Sequence, residues 1–270
     1  MAAACTDRDA VVRWADCIRA DIRLGAIHLY FVLVPRPLVL LPGLMCDRTV
    51  WEHQISALSG LADSLVMEWG ASHTSLADMA EGTLTAAPEK FALAGHSMGG
   101  RVAFEVFRRA PERVTHIAVM NTGVTPLPAG EAGVEEERGR RRLLQLARDE
   151  GIRVMAQEWL KGMIPDHRQG DRDLTERIIQ MFERKDADIF ETQMLALLGR
   201  ADARPLLSQI HCPALVLTGQ DDIWSPPARH QEIADAIGPT ATLVLVPKSG
   251  HMSTMEWPQE VAQAMRTWLL

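Results

Sequence analysis

From residue 36 onward, short apolar runs alternate with longer segments whose apolar residues recur every three or four positions. Runs such as PLVLLPG (37–43), KFALAGH (90–96) and PALVLTG (213–219) have the length and composition of buried strands. The segments between them have the spacing of helices that bury one face. Strands that alternate with helices are typical of a mostly parallel sheet with helices on both faces. The pattern therefore predicts an α/β fold.

The alternation stops over residues 124–207, which contain no strand-like run, many charged residues and several amphipathic stretches in succession. Such a pattern predicts helices only. We therefore predict three parts: an N-terminal segment of uncertain structure (1–35), an α/β core (36–123 and 208–270) and a helical cap inserted into that core (124–207). Within the first part, RDAVVRWADCIRADI (8–22) has a helical pattern and AIHLYFVLVP (26–35) has the pattern of an edge strand.

Charge and cysteine content narrow the classes of function. The 270-residue chain carries 28 Lys and Arg against 35 Asp and Glu, a formal net charge of −7. Because a net negative protein is not attracted to nucleic acid or to an anionic membrane, we predict neither as a partner. The four cysteines lack metal-binding spacing, and the first residues lack the apolar core of a secretory signal. These features predict a cytoplasmic protein with reduced thiols.

The first candidate for chemistry is Ser97, which lies between Gly95 and Gly99 in the stretch FALAGHSMGGRVAFE (91–105). An apolar strand precedes it and an amphipathic helix follows it, which is the sequence pattern of a nucleophile elbow. So tight a turn demands glycine on both sides of the serine. It also aims the first N–H groups of the helix at the atom that reacts with the serine. The pattern predicts Ser97 as a nucleophile.

A serine hydroxyl needs a base, and the base needs a carboxylate. His251 follows the last apolar run and precedes the last helical segment, in a loop at the carboxyl end of a predicted strand. Parallel sheets present their catalytic groups at this edge. Asp221 and Asp222 both follow the preceding predicted strand, while the alternative position after an earlier strand holds Asn121, which cannot ionise. The predicted order is serine, aspartate, histidine.

Four segments together resemble the α/β-hydrolase superfamily over roughly residues 37–270. They are LLPGLMCDRTVW, LAGHSMGGRVAFE, ADARPLLSQIHCPALVLTGQDDIWSPP and VPKSGHMSTMEWPQEV. The resemblance implies an α/β-hydrolase fold, with a mostly parallel eight-stranded sheet flanked by helices and with a helical cap over the active site. Members of the superfamily usually begin with an antiparallel pair of strands, which residues 1–35 do not match cleanly.

The resemblance also implies roles for particular residues. The family's acid-loop pattern, Gly-x-x-Asp-x-x-x-Pro, matches Gly219, Asp222 and Pro226, and therefore selects Asp222 over its neighbour. The backbone N–H groups of Leu44 and Met98 correspond to the two donors of the family's oxyanion hole. The residue pair before Leu44 is Pro-Gly where the commonest pattern is His-Gly.

Candidates for the substrate pocket are Trp224, His96 and Met45, which lie beside the predicted catalytic residues in the sequence. Trp224 could equally stack on the prolines of its own loop. The apolar residues of the predicted cap fit either a pocket or helix packing; they are Met155, Met163, Met181, Leu195 and Leu197. No charged side chain is evidently placed for an anionic substrate, which favours a small neutral ester or lactone.

These residues predict a serine hydrolase that cleaves small, mostly apolar carboxylic esters or lactones through an acyl-enzyme. The same three side chains would also serve carbon–carbon bond hydrolysis, thioester hydrolysis or perhydrolysis. A ligand-binding receptor on a hydrolase scaffold is the alternative from another class. No His-Glu-x-x-His, Cys/His cluster or dinucleotide fingerprint is present, so we predict no metal or organic cofactor. The predicted partner is a small-molecule ester, and the protein a monomer or homodimer.

Overall fold

A computed structural model describes residues 35–270. Its centre is a six-stranded sheet in the order β2-β1-β3-β4-β5-β6, and all five neighbouring pairs of strands are parallel. The strands are β1 (Arg36–Leu41), β2 (Ala62–Val66), β3 (Phe91–His96), β4 (Val114–Met120), β5 (Ala214–Gly219) and β6 (Ala241–Val246). The predicted parallel α/β architecture is confirmed.

The apolar runs became the central strands for a simple reason. Strands covered by helices on both faces must be apolar at every position. Accordingly, every residue of β3 and β5 is buried, whereas the edge strands β2 and β6 each include two exposed positions. The centre of the sheet therefore lies in the hydrophobic core.

Eleven α-helices occur in residues 35–270. They are α1 (Glu52–Leu58), α2 (Leu76–Ala86), α3 (Met98–Arg109), α4 (Glu131–Glu150), α5 (Ile152–Met163), α6 (Arg172–Glu183), α7 (Ala187–Leu198), α8 (Arg204–Leu207), α9 (Pro227–Ile237), α10 (Ser253–Glu256) and α11 (Pro258–Leu269). Short 3₁₀ turns occur at Arg48–Trp51, Pro111–Arg113 and Asp166–Arg168. A 3₁₀ turn leads into α1, and its N-cap is Asp47, whose carboxylate accepts the Thr49 N–H.

All elements between β4 and β5 are helical, from α4 to α8. Two of these helices begin at aspartates whose carboxylates accept a backbone N–H from the first turn: Asp171 from Leu174, and Asp186 from Ile189. The longest, α4, has Glu and Arg residues one turn apart along its length. These local signals explain why the charged, strand-free stretch of sequence forms helices.

The eight strands implied by the family resemblance are not confirmed, because the described sheet has six. The predicted helix at 8–22 and nearly all of the predicted edge strand at 26–35 lie outside the described residues. In the described part of the chain, no helix is both long and apolar enough to cross a membrane. Nor does that part contain three or more His, Cys, Asp or Glu side chains placed to hold a metal ion.

Candidate active site

Ser97 lies in the sharp turn between β3 and α3 and has φ 55° and ψ −115°, in a region that non-glycine residues rarely adopt. A Cβ atom at Gly95 would lie 2.2 Å from the carbonyl oxygen of Gly99, and one at Gly99 would lie 2.0 Å from that of Leu41. Any other side chain at either glycine would collide with backbone. The two glycines therefore permit the turn that presents the serine.

The predicted serine, histidine and aspartate form a hydrogen-bonded row. The distance from Ser97 Oγ to His251 Nε2 is 2.8 Å, and that from His251 Nδ1 to Asp222 Oδ2 is 2.9 Å. His251 and Asp222 are buried, whereas the serine is half-buried and lines a cavity. The three residues come from loops after β3, β5 and β6, so the carboxyl edge of the sheet brings them together.

The Asp222 carboxylate is saturated with donors. Its Oδ1 accepts the N–H groups of Trp224 (3.0 Å) and Ser225 (2.8 Å), and its Oδ2 accepts Nδ2 of Asn121 (3.0 Å) as well as the histidine. Burial alone would raise the pKa of Asp222, but the charge and hydrogen bond of His251 and these other donors hold it well below its usual range. Asn121, at the alternative acid position, thus supports the aspartate.

The backbone of His251 is fixed at both of its polar groups. Its N–H donates to the carbonyl oxygen of Met163, the last residue of α5, at 2.8 Å, and its carbonyl oxygen lies 2.8 Å from His96 Nε2. Burial, and then the nearby His251, lower the pKa of His96 to about 4. His96 is therefore neutral at pH 7. A carbonyl only accepts, so Nε2 of His96 carries the proton. This pocket candidate therefore holds the loop of His251 in place.

Glu256 is a supporting residue that the sequence analysis missed. Its buried carboxylate accepts the backbone N–H groups of Gly250 (2.9 Å) and Met252 (2.9 Å), on either side of His251. Burial raises the pKa of Glu256 to about 7, against the lowering effect of these two hydrogen bonds. The signal was hidden because an acid just before Trp-Pro looks like an ordinary first-turn residue of a surface helix.

Among the backbone N–H groups near Ser97, those of Leu44 and Met98 have no protein acceptor within the described residues. Met98 begins α3, so its N–H has no partner within the helix. Both residues line the cavity that contains the Ser97 hydroxyl. The arrangement can therefore donate two hydrogen bonds to an anionic oxygen formed beside the serine.

Met45, the third pocket candidate, does not line the cavity. The turn closed by the Cys46 N–H and the Gly43 carbonyl oxygen (3.1 Å) leaves Leu44 at the cavity and the Met45 side chain in the core. The Met45 N–H donates to Gln193 Oε1 at 2.8 Å, which ties this turn to α7. The sequence neighbourhood alone did not show which way the side chain turns.

The cavity has a volume of about 480 Å³, within the size range of small-molecule sites. Trp224 lines it, with its ring 5.0 Å from the His251 ring and stacked 5.9 Å from Trp159 of α5. Of the predicted cap residues, Met163 and Leu197 line the cavity. The other three do not: Met155 and Met181 are buried in packing, and Leu195 is exposed.

The cavity wall is also charged, which the sequence analysis did not foresee. Four arginines and two glutamates line it: Arg101, Arg140, Arg200, Arg229, Glu135 and Glu136. Glu136 accepts two hydrogen bonds of 2.8 Å from Arg200 and two from Arg140, of 3.0 and 3.3 Å. Arg140 belongs to the basic run RGRRR (138–142), which thus contributes one of its arginines to the cavity wall. Sequence spacing gave no sign that arginines from distant segments meet there.

Comparison with known proteins matches residues 38–264 to the model of the alpha/beta hydrolase family. The (E)-2-((N-methylformamido)methylene)succinate hydrolase of Acinetobacter baylyi is 28% identical over 251 residues, covering 86% of this chain and 90% of that protein. The pimeloyl-(acyl-carrier protein) methyl ester esterase of Nitrosomonas europaea is 26% identical over 257 residues, covering 88% and 97%.

A solved structure extends this similarity to three dimensions. A thermophilic esterase from Thermogutta terrifontis, with malate bound, superposes with a TM-score of 0.74 at 29% identity, covering 87% of this chain and 89% of that chain. The family match spans most of the chain, and the parallel sheet with its serine turn after β3 agrees with it. The chain therefore belongs to the alpha/beta hydrolase family.

Proposed function

We propose that this protein is a serine hydrolase that cleaves small carboxylic esters or lactones through an acyl-enzyme. The observation that carries the proposal is the row of hydrogen bonds from Ser97 Oγ to His251 and from His251 to Asp222, which ends at a cavity. Family membership supports hydrolysis. The relatives named above include an esterase and a hydrolase of a succinate derivative, so membership alone does not select the acyl group.

In the first half-reaction, Ser97 Oγ attacks the carbonyl carbon of the ester while His251 Nε2 takes the hydroxyl proton. Asp222 accepts a hydrogen bond from Nδ1–H, which fixes the tautomer with a lone pair on Nε2 and stabilises the imidazolium as it forms. The N–H groups of Leu44 and Met98 bind the oxyanion, each contributing about 3 kcal/mol to the transition state. His251 then gives its proton to the departing alkoxide, and the acyl group stays on the serine.

In the second half-reaction, a water molecule takes the place of the alcohol. His251 removes a proton from this water, and the resulting hydroxide attacks the acyl carbonyl. The tetrahedral intermediate again places its negative oxygen at the two backbone N–H groups. It collapses when the serine leaves and regains its proton from the histidine, which frees the carboxylic acid and restores the enzyme.

We propose that helices α4 to α8 act as a cap over this site, in the segment 124–207 predicted for that role. Two observations support it. Cavity-lining residues come from α4, α5, α6 and α7 as well as from the loops of the sheet. The Met163 carbonyl at the end of α5 accepts the His251 N–H, so the cap also helps to hold the general base.

The test is turnover of a panel of 4-nitrophenyl esters by the wild-type protein and by Ser97→Ala. We expect the substitution to reduce kcat/KM by roughly 10⁴- to 10⁶-fold, because the nucleophile acts as a unit with its base. Ser208→Ala, at an exposed serine after α8, is the matched control and should keep wild-type turnover. Ester hydrolysis that survives in Ser97→Ala would contradict the proposal. Parallel assays with a thioester, a dienoate and peracid formation would identify the other reactions predicted for these groups.

A further inference from the structure

Two arginines of the cavity wall have no carboxylate partner among residues 35–270. Arg140 and Arg200 both bind Glu136. Glu135 pairs with Arg138 and Arg142, which do not line the cavity. In contrast, neither Arg101 nor Arg229 lies within 4.0 Å of an acidic oxygen of the described chain. The cavity wall therefore carries two positive charges in excess of its negative ones.

Both side chains are held by backbone carbonyls close to the catalytic row. Arg101 lies one helical turn after Ser97 and donates from Nη1 to the Thr125 carbonyl oxygen at 2.8 Å. Arg229 donates from Nη1 to the Trp224 carbonyl oxygen at 2.9 Å. A guanidinium has five N–H donors, so each arginine is fixed in position and keeps donors for a ligand.

The two guanidinium groups converge beside Gly123. A Cβ atom at this glycine would lie 3.0 Å from Nη2 of Arg101 and 3.4 Å from Nη1 of Arg229. The absence of a side chain at Gly123 thus leaves room for both groups. Like charges this close repel each other, and they remain together because the backbone carbonyls hold them.

Electrostatics favour an anion at this position. Burial, followed by the charges of Arg200 and Arg229, lowers the pKa of Arg101 to about 9, so the charged form of Arg101 is disfavoured, although it still predominates at pH 7. Partly desolvated cations without a counter-ion cost free energy. A ligand anion placed between the two guanidinium groups would offset that cost and would accept charge-assisted hydrogen bonds from both.

We propose that Arg101 and Arg229 bind a free carboxylate of the substrate, so that the preferred substrates are esters or lactones that carry a second, ionised carboxyl group. The inference rests on the proposed function and names its substrate class. Two oxygens of one carboxylate suit two converging guanidinium groups, and a cavity of about 480 Å³ has room for a small dicarboxylic half-ester. This replaces the neutral substrate that the sequence favoured.

The experiment compares pairs of esters in which one member carries a free carboxylate and the other carries an uncharged group in its place. Mono-4-nitrophenyl adipate against 4-nitrophenyl hexanoate tests a carboxylate on the acyl side, and 4-acetoxybenzoate against its methyl ester tests the alcohol side. We expect the wild type to prefer the charged member of at least one pair. Arg101→Gln and Arg229→Gln should each reduce that preference, as a ratio of kcat/KM values, by about 10- to 100-fold, mainly through KM.

Arg142→Gln is the matched control, because it removes the same charge from an exposed position of α4 that does not line the cavity. Its ratio should equal that of the wild type. A wild type without preference in either pair, or a preference that persists in both cavity variants, overturns the inference, while Ser97-dependent hydrolysis of the neutral esters leaves the proposed function standing.

If no ester is hydrolysed, the proposed function fails and the carboxylate site is tested by binding alone. Calorimetric titration with adipate, with uncharged adipamide as control, should then show adipate binding that Arg101→Gln abolishes. Absence of adipate binding to the wild type, or equal binding to both proteins, overturns the inference. Circular dichroism of each variant establishes that the fold is retained.

Discussion

Backbone strain in this protein is concentrated at the residues that surround the proposed chemistry. Within the described chain, the non-glycine residues with positive φ are Met45, Ser97, Asn121 and Lys248. Each lies in a loop that follows the carboxyl end of a strand, at the edge of the sheet where Ser97, His251 and Asp222 form their hydrogen-bonded row. Such conformations persist only where surrounding contacts enforce them. Here the enforcing contacts include the Thr122 hydroxyl on the Ser97 carbonyl oxygen at 2.7 Å.

The aspartate pair in the acid loop offers a test with a built-in control. Asp222→Asn replaces an acceptor for His251 Nδ1–H with a group that can donate, which favours the wrong tautomer. We expect kcat to fall by about 10³- to 10⁴-fold. Asp221→Asn changes the neighbouring, exposed carboxylate and should leave kcat near the wild-type value. Steady-state assays on a 4-nitrophenyl ester measure both, and equal effects at the two positions would contradict the assignment of Asp222.

Alanine should have opposite effects on stability at two glycines, Gly99 in the turn between β3 and α3 and Gly139 in α4. A Cβ atom at Gly99 would meet the Leu41 carbonyl oxygen at 2.0 Å, whereas nothing lies within 4 Å of a Cβ atom at Gly139 in α4. We therefore expect Gly99→Ala to lower the free energy of unfolding by about 3 kcal/mol. Gly139→Ala should raise it by about 0.5–1 kcal/mol, because alanine restricts the unfolded chain. Guanidinium titrations measure both changes, and a stable Gly99→Ala protein would contradict the described turn.

Elements with a strong local signal were predictable from the sequence, whereas contacts between elements were not. The strands β1, β3 and β5 coincide with the apolar runs at 37–43, 90–96 and 213–219. Ser97 was recognisable because glycine is required on both sides of it. In contrast, the hydrogen bond between Met163 and His251 joins residues 88 positions apart and leaves no trace in sequence spacing. The same holds for Gln193, which anchors the turn after β1 from α7.

The net charge of the chain did not reveal that the cavity is lined by arginines, because net charge averages over the whole molecule. A chain with a formal charge of −7 still gathers four arginines around one cavity. They come from α3, α4, α9 and the loop after α7, segments that meet only when the chain folds. Sequence composition describes the average charge of the chain and could not describe the local field at the site.

Stability of the whole molecule should depend on pH through its buried histidines. Burial lowers the pKa of His96 and of His230 to about 4, against an ordinary value of 6.5. Between pH 6.5 and 4 the unfolded chain takes up these protons and the folded protein does not, so the free energy of unfolding falls as pH falls. Glu256, with its pKa raised to about 7, has the opposite effect, because its folded state keeps a proton that the unfolded chain loses.

The two histidines lower the free energy of unfolding by more than Glu256 raises it, so we expect the free energy of unfolding to fall from pH 6.5 to 4.5. Guanidinium unfolding at several pH values measures it. His230→Gln should flatten this dependence, since it removes one of the two histidines, and its ring only joins the Thr122 N–H to the Pro226 carbonyl oxygen. A free energy of unfolding that rises as pH falls over this range would contradict the assignment of neutral, buried imidazoles.

The proposed function requires Ser97 to be a nucleophile that His251 activates, and covalent labelling examines this requirement without a choice of substrate. The protein is treated with a fluorophosphonate, and the labelled residue is located by mass spectrometry of its peptides. We expect one label per chain, attached to Ser97 and absent from Ser97→Ala, with loss of ester hydrolysis in proportion to labelling. A protein that hydrolyses esters but takes no label, or takes it only at another residue, would show that Ser97 is not the nucleophile.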